Sequence, residues 1–262
     1  MNKNSALFWL PRIQEFKDIL IPLTKIIEID ESDGLLLLSG MDSTFKEIYE
    51  KKIEQALESF KFPIFIKTDD VAGKHDWKDT CYVEHKEDLY NHIKKLIYYA
   101  KKSRVEFHAI LLREFLHLES PFNFFDGNMP VAKERRYFIK DGHVICHHPY
   151  WDEEVFFDTF NQDDKRSSIF LENRSNKKEK FQRKYPEEVR DRIIRQLREI
   201  NTESEDEILK LSKIAAKVST LIDGLWSVDF ACDKSGKWYL LDMALAKHSW
   251  HPTTCMKLDK LL

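Results

Sequence analysis

Cysteine is scarce and scattered in this chain. Its 262 residues hold four, Cys81, Cys146, Cys232 and Cys255, with no CxxC pair among them. That argues against a disulfide framework or a structural zinc site and for reduced core thiols. A dominant charge is lacking too. Forty-two Lys and Arg against 45 Asp and Glu leave a formal net charge of -3, which argues against a general nucleic-acid binder. No apolar run is long enough to span a bilayer. Met1 to Leu20 is broken by Pro11 and by Arg12, Glu15, Lys17 and Asp18, so it forms no signal core. The expectation is a cytoplasmic protein with no membrane partner. The P-loop pattern GxxxxGK[ST], the GxSxG elbow and a Cys/His nucleophile arrangement are also missing.

What is present suffices for a sizeable core: 42% hydrophobic residues, 13% of the chain being aromatic. Leu20 to Leu38 mixes short apolar runs with Asp30, Ser32, Asp33 and Gly34, which predicts strands and turns. Apolar residues at helical spacing (Phe45, Ile48, Ile53, Ala56, Leu57, Phe60) predict a helix over 44–60, with Ser43 as its cap. Phe62 to Lys67 predicts a strand ending in a lysine, Thr80 to Glu84 a second, and Phe107 to Leu116 a buried third, after a helix over 87–102. Two hairpins follow. One turns at Asp141-Gly142, the other at Asp233 to Gly236. Pro186 to Ile200 and Glu203 to Leu221 predict helices, and the polar stretch Asn161 to Lys184 reads as a lid. Helices and antiparallel hairpins without a βαβ rhythm predict an α+β fold.

The chemistry concentrates in a few places. Asp229 and Asp242 each interrupt an apolar strand of the last hairpin, within Trp226-Ser-Val-Asp-Phe-Ala and Trp238-Tyr-Leu-Leu-Asp-Met-Ala. Two facing carboxylates repel unless a positive group lies between them, and Mg²⁺ suits such a pair. The other reading leaves the acids in solvent or paired with lysines. Lys67 ends its strand before a loop containing Gly73 and Lys74, where a phosphate could be met or where the lysine could simply be exposed. Glu134 and Arg136 alternate onto one face of their strand with Arg135 on the other, which fits a phosphate site or a surface ion pair. His143, Cys146, His147 and His148 do not make one metal cluster, because His147 and His148 face opposite sides. Near the C-terminus His248, His251 and Cys255 form no closed ligand set.

Taken in order, these residues resemble the ATP-grasp superfamily over about Phe62 to His251. Two branches are similar: a clade of bacterial and phage proteins named for a shared arginine and two lysines, and the cell-division-cycle family that assembles a eukaryotic translation initiation factor. The resemblance implies an N-terminal unit over 1–60, a small subdomain over 61–118 and a large one over 119–262. It implies ATP and Mg²⁺ as ligands, with Lys67 and Lys74 on the phosphates and the strand around Arg113, Glu114 and Phe115 as an adenine hinge. Glu134 and Arg136 would line the phosphate region, with Lys74 and Arg136 acting in catalysis, and Asp229 and Asp242 would hold the metal. It further implies a carboxylate–amine ligase acting on small-molecule or peptide substrates, or an ATP-binding assembly factor for a partner protein. For such a partner the aromatics Phe122, Phe124, Phe125, Trp151, Phe156 and Phe157 offer either a docking surface or a core cluster. One departure is clear. The family's Asn, two residues after the last acid, is Ala244 here, which removes one oxygen ligand.

Overall fold

The computed structural model describes residues 2–124, 128–153, 156, 185–252 and 255, His75 by its backbone alone. The expected lid over 161–184 and the aromatics Phe125 and Phe157 lie outside the described residues. Two compact units emerge: Met1–Gln14, Ile21–His117 and Gly127–Met129 form one, and Glu15–Leu20, Leu118–Asp126 and Pro130–Leu262 the other. Every described strand pairing is antiparallel, as an α+β fold without βαβ units requires.

The first unit is a four-stranded sheet in the order β1-β4-β2-β3, built from β1 (Thr24–Glu28), β2 (Ile64–Thr68), β3 (Tyr82–Val83) and β4 (Ala109–Glu114). Its helices are α1 (Ala6–Gln14), α2 (Glu31–Leu38), α3 (Asp42–Leu57) and α4 (Leu89–Lys102). In α4 the buried Leu89, Ile93, Leu96, Ile97 and Ala100 recur at helical spacing and make one stripe. That stripe joins Phe45, Ile53, Ile64, Ile66, Ile110 and Leu112 in a single core cluster. Strand alternation therefore turns Ile64, Ile66, Ile110 and Leu112 towards α2, α3 and α4 and leaves Phe65, Lys67, Leu111 and Arg113 on the opposite face.

Two features of this unit differ from expectation, one of them the cap of α3: Ser43 lies inside that helix, which begins at Asp42 with Met41 in the cap position. Residues 31–38 are helical, where strands and turns were expected. Glu31 and Asp33 in the first turn favour the helix N-terminus, and Gly34 packs so closely that an added Cβ would stand 2.9 Å from the Phe107 ring. The N-terminal segment forms α1 despite Pro11 within it, burying Ala6, Trp9, Leu10 and Ile13.

The second unit is a four-stranded sheet in the order β10-β9-β7-β8, with β7 (Glu134–Lys140), β8 (His143–Pro149), β9 (Trp226–Cys232) and β10 (Trp238–Leu245). A small hairpin of β5 (Phe122–Phe124) and β6 (Met129–Val131) precedes it. The Asp141-Gly142 turn has φ of 48° and 80°, the positive values that a two-residue hairpin turn demands. Two helices, α5 (Glu187–Asn201) and α6 (Glu205–Ser219), follow. Ser204 caps α6 by accepting from the Glu207 N–H at 3.2 Å. One sheet face binds α6 through Arg135, fully buried, whose Nε lies 2.7 Å from Glu207 and whose guanidinium also donates to the Thr202 carbonyl at 3.1 Å. Phe124, Trp151 and Phe156 are buried, so among the described aromatics they are core rather than docking surface.

Candidate functional site

The face of the second sheet opposite Arg135 carries the charged residues. Registers across the four strands place Asp242 beside Asp229, Asp229 beside Arg136, and Arg136 beside His148, one row running straight across the sheet. Glu134 lies on the same face one pair along, opposite Ala231. The row depends on an irregularity. From Cys232 to Phe230 the hairpin pairs regularly with Trp238 to Leu240, which would set Asp229 against Leu241. A bulge between Leu240 and Asp242 moves the register by one residue and brings Asp242 opposite Asp229. Bulges commonly re-aim a side chain in this way beside a functional site.

Arg136 supplies the positive charge that two facing acids need. Its Nε and Nη2 each donate to an Asp229 oxygen at 2.7 Å, a bidentate pair, and Nη1 donates to the Trp250 carbonyl at 3.3 Å. The Tyr150 ring lies 4.5 Å from the guanidinium carbon. Burial disfavours the arginine's charge, but the attraction and hydrogen bonds of Asp229 outweigh it and push its pKa above the ordinary range. Asp242 accepts from the Met243 N–H at 3.1 Å. Glu134, also buried, accepts from the Trp151 indole N–H at 3.0 Å.

In the first unit Lys67 and Arg113 share the face turned away from α2, α3 and α4, both nearly fully buried (2% and 4% exposed). Beside them an aromatic group was not anticipated from the sequence. Trp77 stacks on Tyr82 with centroids 5.9 Å apart, and Phe115 meets Tyr82 edge-on at 5.1 Å. Phe65 lies 5.8 Å from Trp77. The strand pairing Phe65↔Tyr82 was the available signal. Glu114 is committed to backbone: its carboxylate accepts from the Leu23 N–H at 2.8 Å. Lys74 opens a short 3-10 turn, Lys74–Asp76, after Gly73, whose φ of 64° suits glycine. The Thr80 hydroxyl closes the loop on the Gly73 and Asp76 carbonyls at 2.7 and 2.9 Å.

His147 faces the α6 side, stacked on Tyr137 at 4.9 Å, and so is separated from His148 as strand alternation requires. Cys146 nevertheless has metal-type neighbours elsewhere: its Sγ lies 3.4 Å from His251 Nε2, and Cys255 completes a trio. No helix among the described residues is long and apolar enough to cross a membrane.

The two sheets, the lysine-bearing strand and the paired-acid hairpin define an ATP-grasp fold. By sequence, residues 54–176 match the model of an ATP-grasp domain, the third family of the clade named for an arginine and two lysines. Among solved structures, Cdc123 from Schizosaccharomyces pombe is similar over 97% of this chain and 93% of its own, with a TM-score of 0.53 at 13% identity. N5-carboxyaminoimidazole ribonucleotide synthetase from Thermotoga maritima is similar over 92% of this chain, with a TM-score of 0.42 at 10% identity. A RimK domain ATP-grasp protein from Sphaerobacter thermophilus is similar over 92%, with a TM-score of 0.43 at 11% identity. This chain spans only 41% and 59% of those last two. No curated protein matches its sequence.

Proposed function

We propose that this protein binds Mg-ATP and works as a carboxylate–amine ligase through an acylphosphate. The observation that carries the reading is the row Asp242–Asp229–Arg136, aligned by a bulge on the sheet face opposite Arg135 and α6. Lys67, Lys74 and Arg136 are assigned to the phosphates, where fixed charges stabilise a transferring phosphoryl group without reorganising. The aromatic face of Phe65, Trp77, Tyr82 and Phe115 suits the adenine base, with Arg113 and Glu114 on the hinge strand beside it; a base stacked on such a ring gains about 1–3 kcal/mol.

The donor set fits Mg²⁺. A carboxylate offers about four lone-pair positions, and the bidentate arginine takes two of those on Asp229, leaving the others for a cation. Asp229 and Asp242 would hold the ion, with Glu134 on the same face lining the phosphate region; water would stand where Ala244 replaces an oxygen ligand. When bound, Mg²⁺ supplies charge neutralisation between phosphate oxygens.

In the reaction a substrate carboxylate oxygen attacks the γ-phosphorus and the bond to the β-phosphate oxygen breaks, releasing ADP. An amine then attacks the acylphosphate carbonyl, phosphate leaves, and the surplus amine proton passes to phosphate or solvent. The chain needs no side-chain nucleophile for this; its residues position the reactants and hold charge. Four cysteines that form no disulfide suit a reducing, cytoplasmic setting.

A second reading, an ATP-dependent assembly factor for a partner protein, is favoured by two observations: similarity to Cdc123 runs nearly end to end in both chains, and Ala244 leaves the metal set short. Phosphate release from ATP, measured with panels of carboxylates and amines and with hydroxylamine as a trap, separates the two. The ligase reading expects release that depends on a carboxylate, together with a trapped hydroxamate. ATP binding with no turnover on any pair, alongside ATP-dependent capture of a partner protein, would replace it with the assembly factor.

A further inference from the structure

Cys146 and His148 lie two residues apart on β8 and therefore on one face of that strand. The segment after β10 crosses them. His251 Nε2 stands 3.4 Å from Cys146 Sγ, and the Sγ of Cys255, held in a turn by its N–H to the Pro252 carbonyl at 3.0 Å, lies within 4.8 Å of both. Tetrahedral zinc, with bonds of about 2.3 Å to sulfur and 2.0–2.1 Å to nitrogen, sets its ligand atoms roughly 3.3–3.8 Å apart. The trio thus stands close to the spacing a tetrahedral ion needs. Around it stand Phe138, Ile145, Leu225 and Ala246, apolar groups that keep competing water away.

His148 borders the trio without joining the group of ligand atoms that lie within 4.8 Å of one another. Its Nδ1 lies 2.8 Å from the Pro149 carbonyl oxygen, so Nδ1 carries the proton and donates it there. The other nitrogen, Nε2, then holds a lone pair, is buried, and has no hydrogen-bond partner among the described residues. The ring is 8% exposed and meets His251 edge-on with centroids 5.8 Å apart. A buried acceptor left unsatisfied is costly.

We propose that Cys146, His251 and Cys255 form a site for a thiophilic divalent cation, zinc by its chemistry, with the fourth position open to water. Cys146 with the H-x₃-C pair His251 and Cys255 is a Cys₂His set divided between a strand and the segment that follows the last strand. Zinc there clamps His251 and Cys255 to β8. The clamp also fixes Trp250, whose carbonyl receives Arg136, and so steadies the arginine that holds Asp229. The site stands apart from the proposed Mg²⁺ ligands in chemistry: sulfur and nitrogen donors select a softer ion than paired carboxylates do.

The test uses the full chain, stripped of metal under reducing conditions and titrated with Zn²⁺ or Co²⁺ alone, without nucleotide. The expected result is one ion bound per chain, with a thiolate-to-cobalt charge-transfer band and the intense visible bands of tetrahedral Co²⁺. Cys255→Ser lies outside every strand and leaves the circular dichroism unchanged. It should weaken binding by more than the roughly 10–100-fold that loss of a supporting partner costs, and remove half the thiolate band. His251→Asn should weaken binding with both thiolates retained. The proposal is overturned if the reduced chain takes up no zinc, if its cobalt spectrum is octahedral, if Cys255→Ser binds as the parent does, or if mass spectrometry finds Cys146 and Cys255 joined as a disulfide.

Discussion

Replacing Asp229 by Asn tests the pair at the centre of the site. From the sequence alone, two facing acids repel, and neutralising one should be harmless or mildly stabilising. The structure reverses that sign. Arg136 grips both Asp229 oxygens at 2.7 Å, and the two side chains are only 11% and 13% exposed. Removing one partner of such a pair leaves a buried charge uncompensated, a loss of about 3–5 kcal/mol. Asparagine keeps the shape and one acceptor, so Asp229→Asn belongs near the lower end, at about 3 kcal/mol, or roughly 6–12 °C in Tm for a chain of this size. Arg136→Met, which keeps the stem and removes the charge, should cost a similar amount. The double variant leaves no unpaired charge and should cost far less than the sum, a coupling of about 2–4 kcal/mol. Urea denaturation followed by tryptophan fluorescence reads all four proteins. Additivity within about 0.5 kcal/mol would mean that the pair is not coupled, and the reasoning about Arg136 would be wrong.

Lys67→Ala removes a charge-assisted phosphate contact and should weaken Mg-ATP binding by about 1.5–3 kcal/mol, roughly 10–150-fold in Kd, seen as a smaller thermal shift on adding nucleotide; an unchanged shift counts against the assignment. Glu207→Gln takes one of two carboxylates from fully buried Arg135, Glu203 remaining at 3.2 Å, and should destabilise the second unit by about 1.5–3 kcal/mol in denaturant melts, whereas a loss under about 0.5 kcal/mol would make the Glu207 contact dispensable. His92 is buried in α4 with Nδ1 at the Thr80 carbonyl, 3.1 Å away. Burial lowers its pKa below 6.5, the carbonyl bond and the nearby Asp88 and Asp79 oppose that, and Lys95 adds to it. As pH falls below 6.5 the unfolded chain takes up the proton first, so stability is full above that value and declines beneath it, by at most about 1.4 kcal/mol per pH unit. His92→Gln should flatten this slope, and an identical slope in the variant would show that another group titrates.

How legible the molecule was depended on the distance over which each feature is determined. Helices such as 89–102 announce themselves because their apolar residues repeat at the helical period and the repeat is local. The helix over 31–38 did not, since Leu35 to Leu38 form an unbroken run without a period, and only Phe107, far along the chain, explains Gly34. The acids of the last hairpin were visible because each interrupts an apolar strand. What aligns them, the bulge at Leu241, has no sequence signal. Nor does the contact between Arg136 and Asp229, which requires β7 and β9 to be neighbours although they belong to different hairpins. The Cys146 trio was hidden for the same reason. Strand alternation correctly separated His147 from His148, but it could not bring His251 and Cys255 to the strand that carries Cys146.

The central claim, that one sheet face binds Mg²⁺ and ATP through the Asp242–Asp229–Arg136 row, is tested most directly by calorimetric titration of ATP with and without Mg²⁺ on the parent and on Asp242→Asn. Asp242 holds one position of the row, and its replacement leaves the Arg136–Asp229 pair intact, so the variant should fold as the parent does. The account predicts ATP binding by the parent that tightens at least about tenfold with Mg²⁺, a difference of about 1.4 kcal/mol, and a variant in which that tightening is lost while metal-free binding stays. Equal tightening in both proteins, or no ATP binding by the parent, would contradict it.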